Sequence, residues 1–207
     1  MRTRIDYLAD KYSFTELNES PRLRRQWQDV LEECRQAEAG PEERLRIALL
    51  NVDYVTSFEL PFRLLLTRTP QLIAALREEW DISQKNVVFN DKRFGCVYSL
   101  KASLSGVPDT YRYHLSHRIR RVVGNENTSL PYQQVARAVK APRERLKYAL
   151  EAGLLVTALD GLFWSGSQRI AADVLRLRQS GMPVVTTTVE VHDNLTGTTR
   201  KIPAYHL

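Results

Sequence analysis

Cysteine is scarce in this 207-residue chain: there are two, Cys34 and Cys96, far apart in sequence. That count excludes a disulfide-stapled scaffold and a Cys-rich zinc module, and it predicts two free, buried thiols in a reducing compartment. Long apolar runs are also missing. No stretch approaches the roughly 20 residues that span a bilayer, and the start, Met1-Arg2-Thr3-Arg4-Ile5-Asp6, lacks the apolar core of a secretory signal. The expectation is a cytoplasmic protein with no membrane partner. There is no Gly-rich phosphate loop, no nucleophile elbow or oxyanion loop, no internal repeat and no low-complexity tract. His114 and His117 stand three apart, a spacing that can ligate zinc, but two neutral ligands without a third do not make a site. His192 and His206 are isolated, and Glu42-Glu43 and Glu78-Glu79 read as helix-face acids. No enzymatic activity, cofactor or metal is therefore expected.

What is present is 43% hydrophobic and 26% charged, which excludes a disordered or fibrous chain and is enough for one or two domains with a real core. The net charge of +6 is unevenly distributed. Residues 1–107 carry 16 Lys/Arg and 16 Asp/Glu, whereas residues 108–207 carry 14 and 8. Within Arg112–Lys147 there are 9 basic residues against 2 acidic ones. The second half is thus the candidate for a polyanionic partner.

Along the first half, Ser20-Pro21 opens a helix with a good N-cap and a proline suited to the first turn. Leu23, Trp27, Val30, Leu31 and Cys34 follow at helical spacing. Gly40 ends it, and Pro41 with Glu42 and Glu43 starts a second helix, continued by Leu45, Leu49, Val52, Tyr54 and Val55 and bent or broken by Pro61 near Glu59-Leu60. Thr69-Pro70 starts a third, to about Trp80. Val87-Val88-Phe89, a turn at Asn90-Asp91, and Phe94–Leu100 then read as a β-hairpin. Trp27, Trp80 and Trp164 lie in apolar patterns and read as packing residues. Residues 1–105 form a helical interaction or oligomerisation domain on this reading, and Ser103–Asp109 is the domain boundary.

The second domain, residues 108–207, reads as a basic helix-turn-helix region. Tyr111–Val123 is predicted helical, with Tyr111 and Tyr113 in the core rather than stacked on bases. Ser129-Leu130-Pro131 opens a helix through Val139, and Ala141-Pro142 one through about Ala152. Val135, Ala136, Val139, Ala141, Leu146 and Ala149 fill the slots of a helix-turn-helix, although Lys140 stands where a turn glycine is usual. Thr157–Trp164 fits two forms: a hairpin around Asp160-Gly161, or a short helix capped by Thr157 with Asp160 three residues on. Ser167–Ser180 is an amphipathic helix with Ile170, Val174 and Leu177 on one face and Gln168, Arg169 and Arg176 on the other. Gly181 stops it. Val184–Val191 and Thr198–Leu207 read as strands joined by Asn194–Gly197.

Residues 143–207 resemble the winged helix-turn-helix DNA-binding domains of phage and mobile-element regulators. The likeness rests on Thr157-Ala158-Leu159-Asp160-Gly161, Gly166 at a turn, Leu177-Arg178-Gln179-Ser180-Gly181-Met182-Pro183-Val184 and the ending Ala204-Tyr205-His206-Leu207. It covers about a third of the chain, departs at Asp173, where such domains carry Arg, and favours the short-helix form of Thr157–Trp164. An acid at Asp173 would repel phosphate or accept from a cytosine amino group. Pro142–Ala152 could serve as the recognition helix of an upstream unit or as the first helix of this one.

The fold class expected is mainly α (α+β), a helical domain with a small hairpin followed by a winged helix-turn-helix region. The resemblance implies a sequence-specific protein of double-stranded DNA that regulates transcription in a phage, plasmid or other mobile element. Gln168, Arg169 and Arg176 would then meet bases or phosphates in the major groove. Arg200 and Lys201 would flank the wing tip. Arg118, Arg120, Arg121, Arg143 and Lys147 would add phosphate contacts. A homodimer through the N-terminal half is expected. The alternative is a protein-interaction factor that inhibits or recruits a host protein through a winged-helix scaffold.

Overall fold

The computed structural model describes residues 6–7, 14–16, 20–89, 91–107, 113–115, 122–123, 134–135, 137–167 and 169–207. The chain is α+β and divides into two compact units, Ala9–Ser116 and Met1–Leu8 with His117–Leu207. This differs from the expected boundary at Ser103–Asp109 in two ways. The division falls later in the chain, and the first eight residues join the second unit.

Two short pairings explain both differences. Strand β1 (Asp6–Tyr7) pairs antiparallel with β7 (Val122–Val123), and β2 (Phe14–Glu16) pairs antiparallel with β6 (Tyr113–Leu115). The helix expected over Tyr111–Val123 is therefore wrong at 113–115 and 122–123. Tyr and Val are strand-forming types, and partners more than 90 residues away reward the extended form.

In the unit Ala9–Ser116, helix α1 (Pro21–Gln36) starts as its sequence dictates, with the Leu23 amide donating to Ser20 Oγ at 3.1 Å. Leu23, Trp27, Val30 and Cys34 are its buried stripe. Helix α2 (Pro41–Asn51) stops short of the expected end, because Val55-Thr56 forms strand β3. These β-branched residues pair with Tyr98 and Val97. Pro61 does not bend a longer helix; it lies in the first turn of a short one, α3 (Leu60–Arg63), where its missing N–H costs nothing. Helix α4 (Thr69–Leu76) is shorter than expected. The hairpin is longer, β4 (Ser83–Phe89) with β5 (Lys92–Ser99), and β3 lies on the other side of β5. Arg44 is buried and spends its guanidinium on backbone, donating to the carbonyls of Ala39 at 2.8 Å and Leu64 at 3.1 Å.

In the second unit the residues described at 134–135 and 137–138 are helical. Helix α5 (Pro142–Glu151) follows, then β8 (Val156–Thr157) and α6 (Ala158–Asp160), which runs into a π-helical turn at Gly161–Ser165. Helix α7 (Ile170–Gln179) and the hairpin β9 (Val185–Asp193) and β10 (Thr198–His206) complete it. Of the two forms open for Thr157–Trp164, the structure takes the short helix. Thr157 Oγ1 accepts from the Asp160 amide at 3.0 Å, and the Asp160 carboxylate accepts from the Thr157 amide at 2.9 Å, a reciprocal cap. Helix α5 packs against the π-helical turn, α7 and β8. The core is Leu146, Ala149 and Leu150 from α5, Leu159, Leu162, Phe163 and Trp164 from the short helix, Ile170, Val174 and Leu177 from α7, and Ile202, Ala204 and Tyr205 from β10. Burying each of the larger side chains contributes about 1.5–3 kcal/mol. The sheet order is β7-β1-β9-β10-β8, with β1 parallel to β9 in the register Asp6↔His192 and Tyr7↔Asp193.

Candidate nucleic-acid interface

Helix α7 is fixed from below and open above. Its inward stripe is Ile170, Val174 and Leu177, and Gly161 lets the preceding helix come close: a Cβ there would stand 2.4 Å from Ile170 Cδ1. Gly166 (φ 76°) and Gly181 (φ 91°) turn the chain at either end of α7 through left-handed backbone that glycine adopts most easily. At a helical period the opposite face carries Ala171, Ala172, Leu175, Arg176 and Gln179. Ala171, Arg176 and Gln179 are exposed, Ala172 is half-buried, and Leu175 is 55% exposed.

The expected contact residues fall into three groups. Arg169, Arg176, Arg143, Lys147 and Lys201 are exposed on the second unit, with Lys147 Nζ 3.9 Å from Glu151 on its own helix. Such a surface pair is weak and easily given up to a competing anion. Gln168, Arg118, Arg120 and Arg121 lie outside the described residues. Arg200 is corrected by the structure. Its side chain is 14% exposed and pairs at 3.4 Å with Asp193, itself 1% exposed, so it holds the hairpin and does not stand at the wing tip as a free cation. The register was the missed signal. Asp193 lies opposite Thr198, which puts Arg200 on the diagonal, within reach of a long side chain.

Asp173 is also reassigned. Its carboxylate accepts the Ser167 hydroxyl at 2.6 Å and ties down the loop before α7. Arg178, read in the sequence only as part of Leu-Arg-x-x-Gly, reaches back to strand β9. It donates to the Val184 carbonyl at 2.8 Å and to Thr186 Oγ1 at 2.7 Å, and so locks the helix to the hairpin. Sequence reasoning passed over Arg137 and Lys140, both exposed just before α5, and over Leu175, whose position opposite Val174 and Leu177 the helical period could have marked.

The surface charge exceeds what the sequence suggests. Of the six acids in residues 137–207, Asp160 and Asp193 are buried in the cap and the ion pair, while Glu144, Glu151 and Glu190 are exposed. Among the described residues of 137–207, exposed cations therefore outnumber exposed acids. In Ala9–Ser116 two half-buried charges, Arg46 and Asp53, each hold two partners of opposite sign. Arg46 pairs with Glu42 at 3.0 Å and Glu79 at 2.8 Å and stacks on Trp80, and Asp53 pairs with Arg22 and Lys101. No group of His, Cys, Asp and Glu that could hold a metal occurs among the described residues, and no described helix is long and apolar enough to cross a membrane. No protein-family model matches the chain, and no curated protein or solved structure matches it either.

Proposed function

We propose that this chain binds double-stranded DNA through a winged helix-turn-helix formed by α5 to β10, with α7 as the recognition helix. The observation that carries the reading is the sorting of charge. Arg169 and Arg176 on α7, with Arg143, Lys147 and Lys201 on neighbouring elements, stand exposed while Asp160 and Asp193 are turned inward. The order helix, short strand, short helix, helix and hairpin, with β8 beside β10, agrees with the resemblance carried by residues 143–207. A regulator of a phage, plasmid or related element, acting in the cytoplasm, is the setting this reading implies. A dimer would place its half-sites roughly 34 Å apart.

The test is fluorescence anisotropy on random duplex DNA and on the DNA flanking the gene, across a salt series, with double-stranded RNA of the same length beside them. Log affinity should fall by about 0.9 per phosphate contact as log salt rises. Arg169→Ala with Arg176→Ala should cost on the order of 10- to 100-fold in duplex affinity and reduce the salt slope by about 2, with the circular dichroism spectrum unchanged. Unchanged affinity would overturn the assignment of α7. A second reading, a protein-interaction factor, rests on Leu50, which is 64% exposed on α2 of the near-neutral unit.

A further inference from the structure

We infer that the outward face of α7 reads thymine methyl groups, with Leu175 as the residue that sets specificity. This inference rests on the DNA reading above and deepens it. A helix that reads purines in the major groove needs forked donors, Arg on guanine or Asn and Gln on adenine, at the centre of its outward face. The middle turn of this face is instead hydrocarbon, and its one amide, Gln179, stands in the last turn. Leu175 is 55% exposed in the middle of the helix, next to Ala171 and Ala172, while the cations Arg169 and Arg176 stand at its margins. The acid on the same helix that could accept from a cytosine amino group, Asp173, is engaged by Ser167. A methyl surface bordered by cations complements a groove that is lined with phosphates and presents the 5-methyl of thymine. Thymine is the base whose distinguishing mark in the major groove is apolar. Small side chains at 171 and 172 allow the helix backbone to approach, and the longer Leu175 reaches furthest.

The experiment starts from a random-sequence duplex pool enriched on the full-length protein. The winning duplex is then made again with deoxyuridine in place of each thymine in turn, which removes one methyl and changes no Watson–Crick partner. At one or two positions the affinity should fall roughly fourfold per methyl, the factor matching the transfer of one such group out of water. In Leu175→Ala, an exposed change that keeps a strong helix former, the ratio of thymine to deoxyuridine affinities at those positions should drop to about 1. Equal affinity for thymine and deoxyuridine at every position would overturn the inference and leave DNA binding standing. So would a deoxyuridine effect that persists in Leu175→Ala. Uniform binding with no enriched sequence overturns it too, leaving only phosphate contact. Absence of binding to any duplex overturns the DNA reading itself.

Discussion

Cys34 shows how a single residue's place in a helix decides its chemistry. Its position in the α1 stripe marks it as a core residue, and burial pushes its thiol up to about 11, with the nearby Arg44 guanidinium pulling the other way more weakly. Because the thiolate is the reactive form, native Cys34 at pH 8 should be inert to a disulfide-exchange reagent and should label only as the unit opens. Labelling as fast as in urea would contradict its burial. The sign of the linkage also follows. The folded thiol titrates above its ordinary value near 9.0, so burial of the neutral form stabilises the fold below that value, and the contribution is lost as pH rises towards 11. The urea midpoint of the wild type should therefore fall more steeply between pH 9 and 11 than that of Cys34→Ala. Cys34 was legible from sequence because a heptad-like stripe is local information. Arg200 was not, because its partner lies across a turn and only the register brings Asp193 to it.

At the scale of elements, the close approach of the short helix to α7 is the most exacting contact in the second unit. Propensity alone says Gly161→Ala should stabilise a helix by about 1 kcal/mol. Packing says the reverse, since the new Cβ would meet Ile170 Cδ1 at 2.4 Å and its Cβ at 3.1 Å. Overpacking of this kind costs about 1–3 kcal/mol, so Gly161→Ala should lower the thermal midpoint and the urea midpoint together. A raised midpoint would show that Ile170 can move aside freely. Helix starts were readable wherever a cap announced them: Ser20-Pro21, Pro41 after Gly40, and Thr157 with Asp160. The inward stripe of α7, Ile170, Val174 and Leu177, was readable from its helical spacing, although no side chain caps its start. Strands two or three residues long were not. Val55-Thr56, Tyr113–Leu115 and Val122-Val123 are too short to show alternation, and their hydrogen-bond partners lie far off in the chain.

At the scale of the whole molecule, the sequence's division into a neutral half and a basic half follows charge, whereas the folded units follow strand pairing. Strand β1 belongs to the sheet of the basic unit, beside β9 at His192 and Asp193. Removing residues 1–8 should therefore speed backbone amide exchange at whichever of His192 and Asp193 points its N–H towards β1, about 185 positions away in sequence, and leave exchange in α1 and α2 unchanged. Unaltered exchange at those two residues would show that the strand contributes nothing there. The same pairing bears on how the chain is threaded. Tyr7 and Val122 are direct antiparallel partners, about 5 Å apart in such a ladder, so the chain leaves for Ala9–Ser116 and returns from it at one spot. Ala9–Ser116 is thus an insertion between two paired strands, and a short linker in its place would leave the strand order of the unit that holds it unchanged.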